Sequence, residues 1–250
     1  MKIKNILISQ PEPADIEKSP YGELIRKFGV SLMFRKFFVI EPLPAKDFRK
    51  ERINLLDYSA VIFNSRHAVD HYFRIAKEMR VEVPDSMKYF CVSESTAYYL
   101  TKYVQFRKRK IFHAKENMDV MQELFKKHKT EKFLLPCSDS HKQDIPQILQ
   151  ANKIQYREAC MYKTLPGNLS DIDITKFDML VFFSPSGIKS LFTNFPKFKQ
   201  GKTVIGAFGE STVEAAEKAG LKVHVPAPTQ VAQSMTMAIE LFLTAEAKKK

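Results

Sequence analysis

The chain has 250 residues, 44% of them apolar and 27% charged, with eight Gly, 13 Pro and no long apolar run. That excludes disordered, collagen-like and low-complexity polymers, and also a membrane-spanning helix, which needs about 20 consecutive apolar residues. Forty Lys and Arg against 28 Asp and Glu leave +12 at neutral pH, a balance that attracts nucleic acid, anionic lipid or a small polyanion.

In chain order, an apolar run at 3–8 closed by Pro11 and Pro13 reads as a buried first strand and the loop after it. A helix over 21–28 can end at Gly29, and 30–40 is extended until Pro42 and Pro44 interrupt it. From there strands at 58–63, 89–92 and 132–135 alternate with helices at 68–76, 96–103, 120–125 and 145–149, and 155–164 is again extended up to Pro166 and Gly167. The last third repeats the alternation: strands at 179–183, 203–208 and 221–225, helices at 188–192, 212–219 and 231–243. Val231, Met235, Ile239 and Phe242 are expected to form the apolar face of the final helix. Strand–helix alternation implies parallel sheets.

An internal repeat organises these elements. Residues 58–69 align without a gap on 177–188, with Ser65 over Ser184, and 91–96 align on 207–212 with Glu-Ser-Thr identical in both. The second copy lacks a first strand of its own, so the N-terminus is expected to complete it. The domains expected are therefore a discontinuous α/β domain of 1–38 plus 166–250 and an inserted α/β domain of 43–160. Connectors at 39–42 and 161–165 join them, with a cleft between the two.

In parallel sheets ligands sit beyond the carboxyl ends of the strands, where helix N-termini offer unpaired N–H groups to anions. Ser65, Ser95, Thr96, Ser184, Ser186, Ser211 and Thr212 fall at such junctions. Plain N-capping is a competing reading of each, and recurrence at matched ends favours binding. Neither junction has the glycine spacing that wraps a pyrophosphate, so a nucleotide cofactor is disfavoured and a carboxylate is the expected anion.

Nearly the whole chain resembles the uroporphyrinogen-III synthase family. The resemblance rests on Ile6-Leu7-Ile8-Ser9-Gln10-Pro11, Phe63-Asn64-Ser65-Arg66-His67-Ala68-Val69, Met161-Tyr162-Lys163-Thr164 and Phe182-Phe183-Ser184-Pro185-Ser186-Gly187-Ile188. Gly206-Ala207-Phe208-Gly209-Glu210-Ser211-Thr212 and Pro226-Ala227-Pro228-Thr229 complete it. It implies two flavodoxin-like domains, each a parallel sheet with helices on both faces, joined by a two-stranded connector. It also implies cyclisation of hydroxymethylbilane, a linear tetrapyrrole with eight carboxylates, to uroporphyrinogen III with inversion of ring D and loss of water, without metal or organic cofactor. Tyr162 matches the family's tyrosine on the connector and is the expected catalytic donor. Ser65, Arg66, Ser95, Thr96, Ser184, Ser186, Gly187, Ser211 and Thr212 are the expected substrate-binding residues.

The chain departs from the family at Ser93, where glycine is usual, at 136–141, where a glycine-rich, arginine-containing turn is usual, and at Asn64, where threonine is usual. His67 and His71 have the spacing of a metal face but no third ligand, so a solvated helix face is expected. Cys137-Ser138-Asp139-Ser140-His141 contains nucleophile-like residues too close in sequence to form a triad, and reads as a loop. Arg107-Lys108-Arg109-Lys110 and Lys248-Lys249-Lys250 are read as solvated charge runs, since no nucleic-acid-binding motif accompanies them.

The expected protein is a monomer that takes a small tetrapyrrole polycarboxylate and binds neither nucleic acid nor membrane. Cys91, Cys137 and Cys160 form no disulfide framework or CxxC pair, and the apolar stretch ending at Ser9 is too short for a signal-peptide core, so the cytoplasm is the expected location. The alternatives are a two-lobed small-anion-binding protein without catalysis and a basic α/β protein that holds RNA.

Overall fold

The computed structural model describes residues 3–105, 107–114 and 117–248. Strand β1 (Asn5–Ile8) carries Ile6, Leu7 and Ile8 at 1% exposure or less, the continuous burial that a parallel strand between two helix layers requires. Helix α1 (Pro20–Phe28) opens with Pro in its first turn and closes at Gly29, whose φ of 62° provides a left-handed C-cap. Then come β2 (Ser31–Phe34), β3 (Phe38–Pro42) and the single turn α2 (Ala45–Phe48). The middle of the chain runs β4 (Ala60–Phe63), α3 (Arg66–Glu78), β5 (Lys88–Cys91), α4 (Glu94–Leu100), β6 (Ile111–His113) and α5 (Met118–Lys127). It continues with β7 (Phe133–Ser138), α6 (Asp144–Ala151) and β8 (Tyr156–Pro166). The last third holds β9 (Met179–Phe182), α7 (Pro185–Asn194), β10 (Val204–Phe208), α8 (Glu210–Lys218), β11 (Val223–Ala227) and α9 (Met235–Lys248).

The chain divides into two compact units, one of residues up to Val39 together with those from Leu165 onward, the other Ile40–Thr164. The first contains a sheet ordered β11-β10-β9-β1-β2, the second a sheet ordered β3-β8-β7-β4-β5-β6. Neighbours from β4 to β8 and throughout the first sheet pair in parallel. Strands β9, β10 and β11 correspond to β4, β5 and β6. The two places beyond β9 are filled by β1 and β2, and those beyond β4 by β7 and β8. Both sheets thus share one spatial order reached by different chain orders, because the N-terminus supplies two strands of the first unit. The crossing segments run antiparallel: Leu43 N–H donates to Met161 O at 3.0 Å, and Gly167 N–H to Phe37 O at 2.7 Å.

Each sheet buries both faces. In the second unit Val61, Phe63, Leu134 and Met161 pack with α3, and Ile62, Phe90, Phe133 and Leu135 pack with α5 and α6. In the first unit Ile6, Ile8, Met179 and Val181 pack with α1 and α9, and Leu7, Leu180 and Phe182 pack with α7 and α8. At about 1.5–3 kcal/mol for each fully buried aliphatic or aromatic side chain, these layers are the main stabilising term.

The final helix differs from the sequence expectation. Val231 lies ahead of it and is 73% exposed, and the buried stripe is Met235, Ala238, Ile239 and Leu243. Local turn bonds win over periodicity there: Thr229 N–H donates to Ala232 O at 2.8 Å, Ala232 N–H returns to Thr229 Oγ1 at 3.1 Å, and Ser234 Oγ accepts from Met237 N–H at 3.2 Å.

Candidate active site

The polar residues of each unit gather where strands end and helices begin. In the second unit Ser65 follows β4 and caps α3, its Oγ accepting from Ala68 N–H at 3.2 Å. Tyr162 reaches the same place from β8. The β7–β8 ladder pairs Cys137 with Cys160 and then Ser138 with Tyr162, so one extra residue on β8 forms a bulge. The consecutive side chains of Met161 and Tyr162 consequently both join the core beneath α3. The Tyr162 hydroxyl lies 3.3 Å from Ser65 Oγ, and the residue is 6% exposed. Burial pushes its phenol above the ordinary value, outweighing the Ser65 hydrogen bond that acts the other way, so the hydroxyl keeps its proton at neutral pH.

His71 overturns the expectation of a solvated histidine face. It is half-buried and its ring stacks on Tyr162 with centroids 4.7 Å apart and planes 20° apart, whereas His67 is exposed and only tilted toward Tyr162 at 6.3 Å. Arg74 Nε donates to His71 Nδ1 at 3.1 Å, its Nη1 to Glu78 Oε1 at 2.8 Å, and its Nη2 to both Leu43 O and Met161 O at 2.9 Å. Burial first, then the Arg74 charge, pushes His71 down to about 4. A neutral imidazole is thus held flat against the tyrosine by an arginine that also fixes the strand carrying it. The helical spacing of His67 and His71 gave no sign of this, because the bulge that turns Tyr162 toward α3 has no sequence signature.

The other expected residues separate by helix position. Arg66 is first in α3, exposed, with its guanidinium 5.6 Å from the Tyr99 ring centroid. Ser93 caps α4 with Oγ accepting from Thr96 N–H at 3.2 Å, and the same Oγ lies 3.0 Å from Thr96 Oγ1 and 3.1 Å from Ser95 Oγ. Ser184 caps α7, accepting from Gly187 N–H at 3.3 Å, and Gly209 with φ 87° begins α8. Thr96 and Thr212 are buried, at 4% and 1% exposure. Ser95, Ser186 and Ser211 each occupy the second helical position. Amides there have no intrahelical acceptor, whereas the third-position amide in α3, α4 and α7 is taken by the cap. Glu94 and Glu210 stand first in α4 and α8. A carboxylate there works against a second anion, whereas α3 and α7 have no acidic residue in their first turn and present the more positive helix ends.

Two serines missed by the sequence analysis complete the pattern. Ser9 after β1 and Ser138 at the end of β7 occupy corresponding places in the two sheets and are buried, at 6% and 7% exposure. A Cβ on Gly187 would lie 3.5 Å from Ser9 Oγ and 3.3 Å from Phe182, which shows how closely α7 begins against β1. The usable signal was an apolar strand ending in serine in each half, Leu7-Ile8-Ser9 and Pro136-Cys137-Ser138. Beside Ser65, the buried Asn64 Oδ1 has no hydrogen-bond partner among the described residues. A cavity of about 790 Å³ lies elsewhere in this unit, lined by Phe73, Lys77, Tyr89, Tyr103, Arg107 and Lys110 among others, and contains neither Ser65 nor Tyr162.

Two parallel sheets with helices packed on both faces, and serine-capped helix starts beyond the strand ends, define a two-domain α/β protein. Residues 19–237 match the family model described as Uroporphyrinogen-III synthase HemD. Among solved structures the chain is similar to a mutant uroporphyrinogen III synthase from Thermus thermophilus, with TM-score 0.63 and 14% identity over 98% of this chain and 99% of that one. It is also similar to uroporphyrinogen-III synthetase from Helicobacter pylori, with TM-score 0.62 and 16% identity over 97% of this chain and 100% of that one. No curated protein sequence matches it. The chain belongs to the uroporphyrinogen-III synthase family, and with it to the cyclising lyases of tetrapyrrole biosynthesis. No helix among the described residues is long and apolar enough to cross a membrane.

Proposed function

We propose that the chain closes hydroxymethylbilane to uroporphyrinogen III, with inversion of ring D and loss of water, and that Tyr162 donates to the departing hydroxyl. The observation carrying this reading is the neutral phenol of Tyr162 beside Ser65 at the end of β4, in a chain whose family match spans 19–237. Loss of hydroxide from a pyrrole-activated carbon is driven mainly by the pyrrole nitrogen of the substrate. The protein has to protonate the leaving oxygen and fold the chain so that the ring carbons meet. A phenol kept protonated by burial suits the first task, and His71 stacked on its face holds it in one orientation.

For the second task the carboxylates of the substrate need fixed partners. Ser65 and Arg66 at the start of α3, and Ser184, Ser186 and Gly187 at the start of α7, are proposed as the principal ones. Ser95, Thr96, Ser211 and Thr212 are proposed as lesser ones, since Thr96 and Thr212 are buried and α4 and α8 begin with Glu. Two unit charges 4 Å apart attract by about 1 kcal/mol in water and about 4 at an effective dielectric of 20, so a few partly desolvated contacts suffice. The net charge of +12 supports capture of a polycarboxylate. We take the protein to act as a monomer without nucleic acid in the cytoplasm, and the three free cysteines support the reducing compartment. The test is to supply hydroxymethylbilane to wild type and Tyr162→Phe and measure turnover, with isomer analysis of the oxidised products.

A further inference from the structure

We propose that Cys137, His141 and Glu158 form a binding site for a thiophilic divalent cation, zinc(II) by the chemistry of its donors. The parallel register sets Leu135 opposite Glu158 and Cys137 opposite Cys160, so Glu158 and Cys137 share one face of the sheet. The loop after β7, which the sequence suggested was only a connection, folds back over that face. One donor atom from each of the three residues, Sγ, an imidazole nitrogen and a carboxylate oxygen, lies within 4.8 Å of the other two.

The imidazole is oriented for ligation. His141 Nδ1 lies 3.0 Å from Ser138 O, and a carbonyl can only accept, so Nδ1 carries the hydrogen. In the neutral ring Nε2 then carries the lone pair, 2.9 Å from Glu158 Oε2, and the His141 side chain is only 12% exposed. Two lone pairs at that separation call for a positive charge, supplied either by a proton on Nε2 or by a metal ion. The exposed Gln143, whose amide Nε2 lies 3.2 Å from the same nitrogen, is a donor and fits the lone-pair form. Metal-bound histidines characteristically give their second N–H to a carbonyl or carboxylate, as His141 does. A sulfur, an imidazole nitrogen and a carboxylate oxygen select zinc over magnesium or calcium and leave a fourth tetrahedral position open. The same loop is tied to β8 by Asp139 N–H donating to Tyr162 O at 3.2 Å and Thr164 N–H donating to Asp139 Oδ1 at 3.0 Å. A bound cation would therefore brace the strand that carries Tyr162 without entering the cyclisation.

The full chain, stripped with a chelator, is titrated with zinc(II) against a chromophoric chelator and separately with cobalt(II) followed by absorption. The expected result is one cation per chain bound at micromolar affinity or tighter, with a thiolate-to-cobalt charge-transfer band. Even the outer partners of metal ligands are worth about 10–100-fold in affinity, and a direct ligand is worth no less, so His141→Gln and Glu158→Gln, which leave the buried core intact, should each weaken binding by more than about tenfold. Cys137→Ser should abolish the band, while Cys160→Ser and Tyr162→Phe bind as wild type. Circular dichroism matching wild type confirms that each variant is folded. No cation held at that affinity, binding changed less than tenfold by His141→Gln or Glu158→Gln, or a band that follows Cys160 instead of Cys137 would overturn the proposal and leave a histidine–glutamate ion pair beside a plain thiol.

Discussion

At the scale of single residues the site turns on how Tyr162 is held. Its hydroxyl meets Ser65 at 3.3 Å and its ring meets His71 at 4.7 Å. Tyr162→Phe keeps the stack and the burial and removes only the donor. Turnover should fall several-fold or more, while chemical denaturation shows a loss of about 1 kcal/mol at most, the worth of one hydrogen bond; unchanged turnover would remove Tyr162 from the mechanism. His71 contributes a pH dependence of defined sign. Its value is lowered from 6.5 to about 4 in the folded protein. The unfolded chain therefore binds more protons between pH 4 and 6.5, and stability falls as pH drops through that window. His71→Phe, which preserves an aromatic ring on Tyr162, should flatten the pH dependence of the urea midpoint over that range. An identical slope in the variant would show that His71 titrates normally.

At the scale of elements the question is whether the serines at helix starts only cap or also help to hold substrate. Ser184 illustrates it, with Oγ accepting from Gly187 N–H at 3.3 Å. Aspartate caps a helix as well as serine does, but it places a negative charge where a substrate carboxylate is proposed to lie. Ser184→Asp should therefore hold stability within about 0.5 kcal/mol of wild type and raise KM by about tenfold, equivalent to about 1.4 kcal/mol of binding. An unchanged KM would leave α7 with capping alone. The strand and helix order was legible in the sequence because apolar runs, Gly and Pro mark these elements strongly. The aligned serines at 65 and 184 marked two helix starts that the structure bears out as caps. What was not legible arises from contacts across elements: the β8 bulge that turns Tyr162 toward α3, the His71 stack, and the turn at 229–234 that delays α9 to Met235.

At the scale of the whole molecule the repeat was readable from Glu-Ser-Thr at 94–96 and 210–212, and the shared spatial order of the two sheets gives it a physical meaning. The pairing of Ser9 with Ser138 was out of reach, because the N-terminal strand occupies in one unit the place that a late strand fills in the other. The excess of 12 positive charges should also be visible in kinetics. Exposed charges are screened beyond about 8 Å at physiological ionic strength, so added salt should raise KM for the polycarboxylate and leave kcat nearly constant; a salt-independent KM would show that long-range attraction plays no part in capture. The most direct measurement is the isomer composition of the product. Hydroxymethylbilane is incubated with the protein, the products are oxidised, and the uroporphyrin isomers are separated. Isomer III in excess over the spontaneous background is the expected result, and isomer I alone, as unassisted closure yields, would contradict it.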